Sequence, residues 1–122
     1  MSLGSSIYAA LLADAAVNAL VSDRIYKLRA PQGVLAPYVV WQGIGSDPGV
    51  THTGPSGATE RLVQFACFAV TAEGASDLRD AVVAALDGVG LANGDNGTLE
   101  DDNRESYEEP VSLYRADADF LF

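Results

Sequence analysis

The segment from residue 59 to 71 constrains the fold of this 122-residue chain most strongly. It is rich in β-branched and aromatic residues, which favours a strand. Beyond Leu62, both of its alternating faces are largely apolar. A strand that is apolar on both faces is typical of the middle of a sheet with cover on both sides. We therefore predict that this segment is the central strand.

Apolar residues at helical spacing predict two helices. The first covers residues 6–21, with Ser5 or Ser6 as the N-cap that accepts a hydrogen bond from a free backbone N–H group. The second begins after Thr71, its expected N-cap, and ends at Gly88, which is suited to the left-handed position just beyond a helix. Both helices expose a polar face, so we expect them to pack on a sheet.

The remaining strands are predicted from residue type and alternation. A short strand covers residues 24–28, a second covers 38–44 and the last covers 111–122, and residues 98–103 are predicted to begin another strand. The order α-β-β-β-α-(β)-β has no βαβ rhythm. The prediction is an α+β fold, a mostly antiparallel sheet of four to five strands with two helices packed on it, in one domain over residues 1–122.

Charge is placed unevenly along the chain. The net charge is -10, yet residues 1–66 hold four acids and four bases, so the second half carries the whole imbalance. Phosphate contacts need Lys or Arg side chains, and the whole chain has only seven. Sequence-specific binding to nucleic acid and attraction to an anionic membrane are therefore not expected.

The residues that most often carry chemistry are few. His52 is the only histidine, so it provides neither a dyad nor a set of zinc ligands, and a solvated loop residue is expected. Cys67 is the only cysteine and lies in an apolar strand, which predicts a buried thiol. The glycine-rich segment 88–94 follows a helix rather than a strand, so it does not fit a dinucleotide loop. No cofactor is expected.

The acidic stretch 95–109 has three interpretations. It has seven acids against the single base Arg104, and a solvated, self-repelling loop is the usual meaning of such a run. A weak calcium site is the second interpretation, although the spacing does not match an EF-hand. The third is a negative lining for a passage used by DNA, from which phosphates would be repelled.

Four bases in the first half offer a different hypothesis. Arg24, Lys27, Arg29 and Arg61 fall in or beside the predicted strands and would pair with acids of another copy of the chain. Ordinary surface charges are the alternative. The Gly- and Pro-rich loop 45–58 is long for so small a domain, and long loops are often functional.

A set of short motifs, in order along nearly the whole chain, resembles the phage tail completion family, the proteins that join tail to head. The matching residues are Arg24-Ile25-Tyr26, Ala30–Gly33, Pro37–Val40, Arg61–Gln64, Ala85-Leu86, Tyr114-Arg115 and Asp119-Phe120. One departure is Ala66-Cys67, where the family often has an aspartate in the strand. No catalytic residue is involved in that departure.

The resemblance implies a structural virion protein and not an enzyme. It implies a ring, typically a hexamer, at the end of the tail tube, with the tail tube protein on one face and a head-completion or connector protein on the other. The host cytoplasm would be the place of assembly, and loop 45–58 would order on docking. Our candidate interface residues are Arg24, Arg29, Arg61, His52, Asp101, Asp102 and Glu105.

Two other classes of function compete with this one. A small acidic module that binds a ligand or metal would use the stretch 95–109. An enzyme is disfavoured because the sequence offers no credible set of acid, base and nucleophile.

Overall fold

The computed structural model describes residues 2–46 and 61–122, and the helices and strands there form one layered unit. The prediction about His52 and most of the loop prediction for 45–58 fall outside these residues. A 3-10 turn at Glu109–Val111 separates the last two strands. The elements are α1 (Leu3–Ala13), α2 (Ala15–Val21), β1 (Ile25–Lys27), β2 (Tyr38–Ser46), β3 (Arg61–Ala69), α3 (Ala72–Leu86), β4 (Thr98–Glu108) and β5 (Leu113–Leu121).

The five strands form one sheet in the order β1-β2-β3-β5-β4. Only the β1–β2 pair is parallel, and the other pairs are antiparallel. The α+β class and the central position of β3 are confirmed. The expected cover on both sides of β3 is not seen among residues 2–46 and 61–122, where α1, α2 and α3 all pack on the same face, around Phe65 and Phe120. We call the opposite side the open face.

The N-terminal helix differs from its prediction in two ways. It begins earlier, at Leu3, where the Ser2 hydroxyl accepts from the Ser5 N–H group, so neither Ser5 nor Ser6 is the N-cap. It also breaks at Asp14, which ends α1 and caps α2 by accepting from the Val17 N–H group at 3.0 Å. Helical spacing alone does not reveal this break, because the apolar pattern continues across it.

The second helix follows its prediction closely. The Thr71 hydroxyl caps α3 by accepting from the Gly74 N–H group at 2.9 Å. Gly88 follows the C-cap Asp87 and has a φ of 73°, the left-handed conformation expected there. Leu78, Val82 and the rest of the apolar stripe are buried against β3 and β5.

The largest correction concerns the acidic stretch. The strand predicted to begin at residues 98–103 is confirmed and extends to Glu108 as the edge strand β4, paired with β5, so the loop interpretation is wrong for residues 98–108. Two register shifts, between Leu99 and Asp101 and between Asp101 and Arg104, interrupt the alternation that normally identifies a strand. Charge on an edge strand is a usual protection against unwanted pairing, and this acidic composition hid the extent of the strand to Glu108.

Candidate assembly surfaces

A row of polar side chains crosses the open face from β2 to β5. The amide of Gln42 donates to Gln64 Oε1 at 3.0 Å, and Arg115 Nη2 donates to the same oxygen at 3.3 Å. Arg115 Nε also donates to Asp117 Oδ1 at 2.7 Å. Asp117 is only 8% exposed, and its carboxylate is held in the ion pair with Arg115.

Aromatic rings lie beside this polar row. Tyr38 stacks on Phe68 with ring centroids 5.0 Å apart, and the Arg115 guanidinium lies over Phe68 at 5.6 Å. Together with Leu28 and Arg29, these side chains enclose a shallow pocket of about 230 Å³. A preorganised surface of rings, amides and guanidinium groups is suited to contact with another protein.

The acids on β4 have different surroundings. Glu105 accepts hydrogen bonds from Arg79 at 2.7 Å and from Ser76 at 3.1 Å, and these bonds hold the pKa of its carboxyl below the usual range. Asp101 lies 3.7 Å from Arg104 Nε. Asp102 is partly exposed and has no ion pair within residues 2–46 and 61–122.

Arg104 connects this edge strand to β5. Its guanidinium pairs with Asp119, yet burial raises the pKa of that carboxyl more than the arginine lowers it. In the described part of the chain, no three His, Cys, Asp or Glu side chains are grouped to hold a metal ion. The acids therefore act here as ion-pair partners and as surface charge.

The predicted basic residues fall into two kinds. Arg24 is used within the chain: Nε donates to the Pro37 carbonyl at 2.9 Å and Nη2 to the Leu20 carbonyl at 3.3 Å. It therefore ties the end of α2 to the start of β2. Arg29 and Arg61 are exposed and form no ion pair with any residue the structure describes.

Arg61 borders a groove on the helix side of the sheet, which we call the Trp41 groove. It has a volume of about 390 Å³. The Lys27 ammonium lies 5.4 Å from the centre of the Trp41 ring, so a second cation borders the groove. The lining residues are Leu3, Gly4, Lys27, Trp41, Gly43, Arg61, Leu62 and Val63.

The turn between β4 and β5 forms an exposed aromatic corner that the sequence analysis missed. Tyr107 and Tyr114 are paired across the strands, with ring centroids 4.9 Å apart. We call Tyr107–Tyr114 the hairpin tip. The only signal was two tyrosines on either side of Pro110, and it was hidden because the strand predicted at residues 98–103 was not extended towards the proline.

Within one copy, the basic and acidic candidates that the structure describes lie in different parts of the sheet. Lys27 lies on β1 and Arg61 at the beginning of β3, whereas Asp101, Asp102 and Glu105 lie on β4 at the far edge of the sheet.

No single described helix is long and apolar enough to span a membrane, and α1 and α2 reach that length only jointly, across a bend of 87°.

Comparison with known proteins gives a similar structure and a matching family. A chain in the virion of a native gene transfer agent particle has a similar structure, with a TM-score of 0.68 and 25% sequence identity over 98% of this chain and 92% of that one. No curated protein sequence matches. The model of the family described as tail completion protein gp17 matches residues 5–122. The chain is thus a phage tail structural protein and belongs to the tail completion protein gp17 family.

Proposed function

We propose that this protein completes the phage tail at the head–tail junction as a homo-oligomeric ring, typically a hexamer. The ring joins the tail tube protein on one side to a head-completion or connector protein on the other. Membership of the tail completion family supports the role. The likeness to a chain of a gene transfer agent virion supports a place in an assembled particle.

The observation that carries the ring is the presence of two unlike exposed surfaces on one subunit. Rings are closed by heterologous contacts, in which one patch of each copy meets a different patch of the next. The Trp41 groove is bordered by Lys27 and Arg61, whereas β4 and the hairpin tip are acidic. A self-complementary dimer would not need such a difference.

The candidate interface residues divide accordingly. Arg61 and Asp102 are proposed for contacts between copies, and Arg29, on the open face, for contact with the tube or connector protein. Arg24 and Glu105 contribute by holding their own elements in place, through the bonds described above. Asp101 stays in the proposed interface, and so does His52, which lies outside the described residues.

Native mass spectrometry over a concentration series tests this function. We expect a hexamer, either of the protein alone or after addition of the purified tail tube protein. Deletion of the gene is the matching test in an infected cell, where heads and tails should accumulate unjoined. Complete virions from the deletion strain, or a monomer under every condition including the presence of the tube protein, would contradict the proposal.

A further inference from the structure

The hairpin tip exposes apolar surface beside unpaired negative charge. The exposed fractions are 48% for Tyr107, 51% for Val111 and 37% for Tyr114. Glu109, in the turn between the two tyrosines, is exposed and has no ion pair with a residue in 2–46 or 61–122. Exposed aromatic rings bordered by polar groups are common at protein contacts.

The Trp41 groove has the complementary composition. Its floor includes Leu3, Trp41 and Val63, and its rim has the cations Lys27 and Arg61. Neither cation has an acidic partner among the described residues. Gly43 leaves the groove open, because a Cβ atom added there would meet no heavy atom within 4 Å.

We propose that the hairpin tip of one copy docks into the Trp41 groove of the next copy. This inference rests on the proposed ring and names the contact that builds it. Tyr107 and Val111 would cover the apolar floor of the groove, and Glu109 would face Arg61 and Lys27. The match in charge decides which surfaces meet, since like charges placed together would be strongly unfavourable.

The position of the two surfaces requires a second copy. Tyr114 pairs with Ala69 at the end of β3, whereas Arg61 begins the same strand. Nine residues of strand separate these two ends by about 26 Å at roughly 3.3 Å per residue. A tip therefore cannot reach the groove of its own chain, and a contact between different surfaces of neighbouring copies repeats into a ring or a filament.

Charge reversal with matched net charge tests the contact. We expect Arg61→Glu to weaken self-association, or assembly on the tail tube protein, by about tenfold or more, and Glu109→Lys to do the same. The double variant, which restores the net charge of -10, should recover most of the loss. The control is the double variant that combines Arg61→Glu with Asp77→Lys. Asp77 is an exposed acid on α3, so this variant has the same net charge but should not recover the lost association.

A second variant removes the contact without removing a charge. Gly43→Val fills open space at a strand position whose φ is not positive, so the monomer should fold. We expect its circular dichroism to match the wild type and its association to be lost. The fluorescence of Trp41, the only tryptophan, should shift on association of the wild type and stay constant for this variant.

The outcomes separate the contact from the function. If the wild type forms rings and Gly43→Val assembles equally well, the contact is overturned and the tail role still stands. The same holds if Asp77→Lys restores association to Arg61→Glu as fully as Glu109→Lys does. If Arg61→Glu or Gly43→Val still forms rings but no longer binds the tube protein, the groove belongs to the contact with the tube protein, and the proposed contact between copies is overturned. A wild type that forms no oligomer, alone or with the tube protein, would overturn both.

Discussion

The guanidinium of Arg79 on α3 donates a 2.7 Å hydrogen bond to the carboxylate of Glu105 on β4. Ser76 donates to the same carboxylate at 3.1 Å, so two residues of the helix hold one residue of the edge strand. The Arg79 side chain is only 11% exposed, so water has little access to its guanidinium and competes weakly for the bond to Glu105. One of the acids that the sequence predicted for an interface therefore anchors an edge strand to the layer of helices.

We expect Glu105→Gln to lower the urea midpoint at neutral pH and to change the pH dependence of stability. Because the folded pKa of Glu105 is depressed, its contribution is fully present above the unfolded value of about 4.3. It is lost as pH falls through the lower folded pKa. The difference between wild type and variant should therefore disappear in acid. Glu100→Gln, an exposed acid on the same strand, is the control, and an equal effect there would contradict this role.

Arg24 and Arg29 should behave differently although both were predicted for an interface. Arg24→Met removes two hydrogen bonds to the carbonyls of Pro37 and Leu20, which should cost about 1–2 kcal/mol of unfolding free energy. Arg29→Met changes an exposed side chain and should stay within about 0.5 kcal/mol of the wild type. Equal unfolding free energies in denaturant titrations would show that Arg24 does not tie α2 to β2.

Local sequence signals predicted the parts of the fold that obey one simple pattern. β3 is largely apolar on both faces beyond Leu62, and α3 has both an N-cap at Thr71 and a glycine at position 88, so their type and extent followed from the sequence. The break at Asp14 depends on the side-chain cap that this residue gives to α2, whereas the apolar spacing continues across it. β4 has almost no buried side and two register shifts, so the sequence predicted its beginning at residues 98–103 but not its extent to Glu108.

The candidate surfaces were harder to predict because tertiary contacts decide which charges are available. Arg24 and Glu105 look like free surface charges in the sequence, yet each is used by an internal bond. Arg61 looks the same but borders a groove, which exists only because β1, β2, β3 and α1 meet at Trp41. Residue type identifies candidates, whereas their partners depend on the packing of distant segments.

Gly97 should not tolerate a side chain. A Cβ atom at this buried position would lie 2.6 Å from the Leu86 carbonyl oxygen and 3.0 Å from the Phe122 ring. We expect Gly97→Ala to lower the free energy of unfolding by about 1–3 kcal/mol, because backbone cannot move aside as a flexible side chain would. Gly43→Ala is the control and should be neutral or stabilising by up to about 1 kcal/mol. Denaturant titrations in which both variants lose equal stability would contradict the clash.

Cys67 should make the protein less stable in alkaline solution. The thiol is fully buried, and burial, followed by the nearby charge of Asp117, raises the pKa of the Cys67 thiol far above its usual range. A raised folded pKa means that its contribution is full below the unfolded value of about 8.5 and falls as pH rises beyond it. The loss should approach about 1.4 kcal/mol per pH unit relative to Cys67→Ala, which lacks the titrating group. Native protein should also react with a thiol reagent only at its rate of unfolding, and rapid labelling of the folded chain would show that the thiol is accessible.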